Sequence, residues 1–303
     1  MDHLNHKIKG PLKIFVDRFG EYLSDDDIMQ FYSNRTKGEK HTYLSSDFHQ
    51  AEKMSVVILE EYEARGKLKG NVLMTFSEPE YDIPIFNFQL GGNGVQSIGL
   101  LDLGPTTPDI DYSPLIPVHE KYKKLLGIDP PHVDWVSSIS SPYLLHCHYE
   151  ELDTDLFLEA MSEYLNVWIE HYYEPAQKLM DERQIEIVTN AIYKFKHVLH
   201  ANDPAYGIFS KEWGPSVADA FYYLETRDYP ALAMPEHDHT KFKAWENKEL
   251  RILWEREAQE QVLQAPESYQ QTIRDAVEQR VSAAHLGIIT AEVFEKYKET
   301  QSG

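Results

Sequence analysis

The chain has 303 residues, 42% of them hydrophobic, and a formal net charge of −21. That length supports one large core or two smaller ones. The acidic balance argues against a nucleic-acid binder, which needs a basic face for phosphates. The one cysteine, Cys147, rules out an internal disulfide framework and points to a reducing compartment, the cytoplasm. The apolar runs are short and broken by charge, so no membrane span is expected, and the opening Met-Asp-His-Leu-Asn-His-Lys does not read as a secretory signal.

Taken in chain order, residues 11–32 read as helix with breaks, since Phe15, Phe19 and Tyr22 recur at helical spacing and Asp25–Asp27 offer a further start. From about 40 to 102 the pattern becomes β. Ser55–Glu63 is β-branched at its start, Asn71–Phe76 follows a Gly-Lys-Leu-Lys-Gly turn, Ile83–Leu90 follows Pro79, and Ser97–Leu103 follows Gly91-Gly-Asn-Gly94. Short runs separated by turn residues predict an antiparallel meander. A helix is expected around Val118–Leu126, a break at Pro130-Pro131, and another strand over Pro142–Tyr149. Beyond 150 helices dominate. Thr154–Tyr173 carries one apolar face, with Asp153 and Thr154 as start and Pro175 as stop. Ile185–Leu199 and Ser216–Glu225 continue the helical pattern, and 241–300 holds three short helical segments broken at Ala265-Pro266 and Gly287.

Three constellations bear on chemistry. His146 and His148 lie two apart on one strand face, and His237 and His239 sit near an acidic loop. Zinc needs three or four convergent ligands, however, and fourteen histidines make such pairs common. Nucleophile motifs and phosphate-cradling loops are absent; Gly91-Gly-Asn-Gly94 lacks the lysine and the strand–turn–helix context. What remains is polar groups on strands. Alternation puts Asn87 and Gln89 on one face with Ile83 and Ile85, and Glu60 on a face with Ile58 and Tyr62, while Asp102 sits near a strand end. Such groups can hold a polar ligand, and the carboxylates can move protons. The plainer alternative has Glu60 and Glu61 opening a solvated turn and Asn87 facing water.

Phe76-Ser-Glu-Pro-Glu-Tyr-Asp-Ile-Pro-Ile-Phe86, then Gly91-Gly92, then Ser97-Ile-Gly-Leu-Leu-Asp-Leu-Gly-Pro105, resembles the ferredoxin-dependent bilin reductases. Ser138–Tyr149 is similar to that family's next strand, and Asn202-Asp203 followed by Glu212-Trp-Gly214 to its Asn-Asp segment; the likeness covers roughly residues 40–226. The resemblance implies an α/β/α sandwich with a central, mostly antiparallel sheet and a tetrapyrrole held between sheet and helices. It implies electrons from ferredoxin one at a time, protons from side chains, and no tightly bound cofactor or metal.

Carried over residue by residue, Glu60 matches the family's pocket glutamate, and Asn202 and Asp203 match its Asn-Asp pair. Val72 falls where some members have a catalytic histidine, and Gln89 where the family has its central proton-donating aspartate. Pro204 and Tyr206 stand where basic residues usually follow. The resemblance therefore gives Glu60, Asp203 and, more weakly, Asp102 as proton-relay acids, with Asn87, Gln89, Val72 and Asn202 against the substrate. An amide cannot replace a carboxyl as a proton donor.

Trp254-Glu-Arg-Glu-Ala258, Ala265-Pro266, Ala276-Val-Glu278 and Gly287-Ile-Ile-Thr290 resemble the small helical domain that ends light-independent protochlorophyllide reductase subunits. The expected organisation is a bilin-reductase-like domain over 1–228, a linker over 229–243 and a small helical module over 244–303 that docks a protein partner. The expected function is reduction of a bilin or related tetrapyrrole. The alternatives are a non-catalytic pigment-binding or assembly factor on the same scaffold, and a metal enzyme using His146 and His148.

Overall fold

The computed structural model describes residues 10–24, 29–37, 40–65, 68–92, 97–126, 134–149, 153–203, 205–214, 218, 246–247, 252–283 and 288–301. It divides into two compact units: residues 1–27 with 48–199, and residues 28–47 with 200–303. The linker expected over 229–243, most of the helix expected over 216–225 and the break at Pro130-Pro131 lie outside the described residues.

The first unit begins with helix α1 (Pro11–Phe19), whose Leu12, Phe15, Val16 and Phe19 are buried along one stripe. The helix expected to run to residue 32 stops there. A single 3₁₀ turn follows (Gly20–Tyr22), and Met29–Lys37 forms strand β1. Phe31, Tyr32 and Thr36 supply the aromatic and β-branched content of a strand. Strand β2 (Lys40–Ala51) turns at Glu52–Lys53 into β3 (Met54–Ala64), followed by β4 (Leu68–Ser77), β5 (Ile85–Gly92), β6 (Ser97–Gly104) and β7 (Leu145–Tyr149). Strands β3 to β7 are hydrogen-bonded neighbours in chain order, antiparallel throughout. The expected meander is thus present, with β3, β4 and β6 longer than the runs that announce them, β5 shifted to start at Ile85 and β7 limited to Leu145–Tyr149 of the expected 142–149.

Between β6 and β7 lie helices α2 (Ile116–Leu126) and α3 (Asp134–Ser137). Helix α4 (Thr154–Trp168) starts where Asp153 accepts the Leu156 N–H at 3.0 Å, the predicted cap. It runs into one π-type turn, Ile169–Tyr173, and ends ahead of Pro175. Helix α5 (Glu182–Asn202) follows.

One sheet face carries Leu59, Leu73, Phe88, Leu101 and Leu145 in a single cross-strand row. It shares one core with Phe15 and Phe19 of α1 and Phe157, Met161, Leu165 and Trp168 of α4. The opposite face meets α5, where Phe195 packs edge-on against Phe76 with ring centroids 5.8 Å apart. Helices on both faces of an antiparallel sheet make an α/β/α sandwich.

In the second unit, β1 neighbours β2, and helix α6 (Ala205–Trp213) carries an edge-to-face Phe209–Trp213 pair. The end of the chain forms a small module. Strands β8 (Glu246–Asn247), β9 (Ile252–Trp254) and β10 (Ile288–Ile289) join helices α7 (Arg256–Leu263), α8 (Glu267–Ala283) and α9 (Ala291–Gln301). Its own core holds Trp254, Ala258, Val262, Val277, Val281, Ile289 and Phe294. The three helices were expected; the three-stranded ribbon was not, because strands of two or three residues leave no periodicity to read.

Candidate functional site

The side chains of interest arise from register. Glu60 on β3 pairs with Val72 on β4, Val72 with Gln89 on β5, Gln89 with Leu100 on β6, and Leu100 with His146 on β7. Directly opposed residues project from the same face, so all five line the side that meets α5. With strands about 4.8 Å apart, Glu60 and Gln89 stand roughly 10 Å apart across Val72. The next row of that face is Ile58, Met74, Asn87 and Asp102. The glutamate, both amides and Asp102 thus form one contiguous patch. Asn87 and Gln89 also touch, Gln89 Nε2 donating to Asn87 Oδ1 at 3.5 Å.

Burial makes this patch costly. Glu60 is 2% exposed, Asn87 5% and Asp102 1%. β3 continues to Ala64, so Glu60 does not open a solvated turn. Buried polar groups of this kind need partners. Asp102 has them: Oδ2 accepts the Ser141 N–H at 2.9 Å and Oδ1 the Ser141 hydroxyl at 2.5 Å. Ser141 Oγ accepts in turn from the Tyr143 N–H at 3.1 Å. Burial pushes the Asp102 carboxyl up to about 7, against the opposing pull of the Ser141 bonds. A carboxyl poised there can exchange a proton near neutrality.

Apolar groups flank the patch. Leu100 joins Val136 and Leu144 in a small cluster beside Trp135. Past Met74, Phe76 carries the Phe195 ring and, 4.6 Å from its centroid, the ammonium of Lys196, which is 3% exposed. A separate cleft of about 260 Å³ opens beyond the end of β6, between Pro105, Thr107, Ile139, Ile187 and Phe195. None of the four polar patch residues lines it.

Asn202 and Asp203 belong to the other unit. Asn202 ends α5, and Asp203 Oδ1 accepts the Ala205 N–H at 2.8 Å at the start of α6. Of the histidines considered for a metal, His146 sits in the Glu60 row, while the side chain of His148 and all of His237 and His239 lie outside the described residues. Among the described residues no three His, Cys, Asp or Glu converge as a metal site. Cys147 points to the opposite face, into the core, and burial raises its thiol to about 11. His146 as a member of this row was missed in the sequence, which read it only against His148. Pairing register, not residue spacing, puts it beside Glu60 and Gln89.

The ferredoxin-dependent bilin reductase family model matches residues 20–224, over two thirds of the chain. The chain belongs to that family. A 15,16-dihydrobiliverdin:ferredoxin oxidoreductase from Nostoc punctiforme is 28% identical over 159 residues, half of this chain. The match spans 64% of that relative's length. Phytochromobilin synthase from tomato, solved in complex with biliverdin, shares the fold with a TM-score of 0.58 at 21% identity. That likeness covers 63% of this chain and 71% of the synthase. Among the described residues, no helix is long and apolar enough to cross a membrane.

Proposed function

We propose that the chain is a divergent ferredoxin-dependent reductase of a bilin or closely related linear tetrapyrrole. The observation that carries this reading is the cross-strand row Glu60–Val72–Gln89 with Asn87 and Asp102 beside it on the face that meets α5, where Glu60, Asn87 and Asp102 are buried and Val72 and Gln89 are partly open. A conjugated ligand can lie along a sheet face, and apolar surroundings keep water from intercepting a partly reduced intermediate. In such a reduction two electrons arrive singly from ferredoxin and two protons come from side chains. Glu60 is the carboxyl assigned to the row itself, and Asp102 stands behind Asn87 as a second acid. Asn87 and Gln89 orient the pigment through hydrogen bonds. Asp203, with Asn202, remains the acid that the family resemblance adds. Val72 and Gln89 make the site divergent, since neither can supply the proton that histidine or aspartate would. The terminal module is assigned to partner docking.

The test is spectroscopic. Biliverdin mixed with the protein, reduced ferredoxin and a ferredoxin-reducing system should lose its long-wavelength band and form a reduced bilin catalytically. Glu60→Gln should slow turnover at least tenfold while leaving pigment binding within about threefold, the range for loss of one positioned proton donor. Stoichiometric binding with no turnover across a panel of tetrapyrroles would replace this reading with that of a pigment carrier.

A further inference from the structure

One row of the same sheet face is built unlike the others. Next to the Glu60 row, Tyr62 on β3 pairs with Gly70 on β4, and Gly70 with Gly91 on β5. Two glycines facing each other near the ends of paired strands mark a place where something approaches the backbone closely. Here it is the Tyr62 ring. A Cβ placed on Gly70 would lie 2.2 Å from Cζ and 2.3 Å from Oη of Tyr62, inside any allowed contact. A Cβ placed on Gly91 would lie 3.5 Å from the same hydroxyl. The phenol therefore lies down across β4, and its oxygen sits between β4 and β5. Upright, as strand side chains usually stand, it would stay over β3.

That position bears on the reaction. Val72 and Gln89 are the next residues on this face along the same two strands, about 7 Å away. Neither side chain can give up a proton. The hydroxyl of Tyr62 is brought over β4 toward β5 because residue 70 lacks a side chain, and it comes within ordinary contact of where a Cβ at residue 91 would sit. Tyr62 is half-buried. A phenol donates one O–H and presents a flat apolar body, which suits the edge of a conjugated pigment carrying carbonyl and ring-nitrogen acceptors. We infer that Tyr62, seated in the Gly70–Gly91 notch, is a substrate-contacting hydrogen-bond donor of this site, beside Val72 and Gln89, which have no proton to give. This rests on the bilin reading given above.

Packing alone would need the ring and not its oxygen, so Tyr62→Phe separates the two. The full-length parent, Tyr62→Phe and Gly70→Ala are each titrated with biliverdin, then assayed with reduced ferredoxin. Tyr62→Phe should bind within about threefold of the parent, show a displaced absorption maximum for the bound pigment, and turn over at least tenfold more slowly. Gly70→Ala, which evicts the ring, should weaken binding at least tenfold. A Tyr62→Phe complex with the parent's spectrum and turnover overturns the assignment even if Gly70→Ala is impaired. Failure of the parent itself to bind biliverdin removes the bilin reading, and the assignment with it.

Discussion

Asp102 shows how one carboxyl can report on its surroundings. Its ordinary value is 3.8 and burial holds it at about 7, so the folded chain binds this proton more tightly than the unfolded chain does. The stability contributed by that proton is complete below pH 3.8, declines between the two values and is gone above 7. Asp102→Asn does not titrate. It also misplaces one of the two Ser141 donors, a cost that does not change with pH. Relative to the parent, the variant should therefore gain stability as pH rises from 5 to 8, by about 1–3 kcal/mol, since a tenfold difference in proton affinity between folded and unfolded chains is worth about 1.4 kcal/mol. Urea unfolding of both proteins at the two pH values checks this. Parallel curves would mean that the carboxyl is not held up by burial.

Among elements, the join between the β2–β3 turn and the end of α4 is the most sharply defined. Lys53 Nζ donates to the carbonyls of Tyr173, Glu174 and Ala176 at 2.9, 2.9 and 3.0 Å. It also lies 5.4 Å from the Tyr173 ring centroid. The last carbonyls of a helix have no partner within it, and a cation placed there satisfies them and opposes the helix dipole. Lys53→Met keeps the stem and removes the donors, so it should destabilise the first unit by about 2 kcal/mol in chemical denaturation, in line with bonds to a charged donor. A change below about 0.5 kcal/mol would show these bonds to be solvent-equivalent. The sequence announced α4 itself, through its apolar face, Asp153 and Pro175. It gave no sign of the Lys53 clasp, which joins residues more than a hundred positions apart. The site divides in the same way. Alternation alone set Asn87 and Gln89 on one face, and Glu60 with Tyr62 on another run. That the two runs make one patch, that His146 shares it and that Tyr62 lies across Gly70 all follow from register between strands. Nothing in a single strand's pattern encodes that register.

At the scale of the whole molecule, the core around α1 and α4 and the core of the terminal module are separate in composition. Residues between Leu12 and Ala176 make up the core around α1 and α4, whereas the terminal core is drawn wholly from residues 252–297. The motif residues singled out near the chain end meet one another in the second core. Trp254 Nε1 donates to Glu278 Oε1 at 2.7 Å, and Arg274 Nε donates to the same oxygen at 2.9 Å. Glu255 accepts the Ala291 N–H at 2.9 Å, and β10 pairs with β9 at Trp254. A module of this size has little stability to spare, because small cores bury a low fraction of their surface. Trp254→Ala deletes a fully buried indole and leaves a cavity, a loss of about 3–5 kcal/mol. That exceeds what so small a core supplies. Calorimetry of the parent should resolve two transitions, and Trp254→Ala should abolish the one belonging to the module. The transition of the core around α1 and α4 should stay within about 2 °C, because no residue of that core is touched. A single transition in the parent, or a joint shift in the variant, would show that the two cores unfold as one cooperative body. The module would then not be a separately folding element.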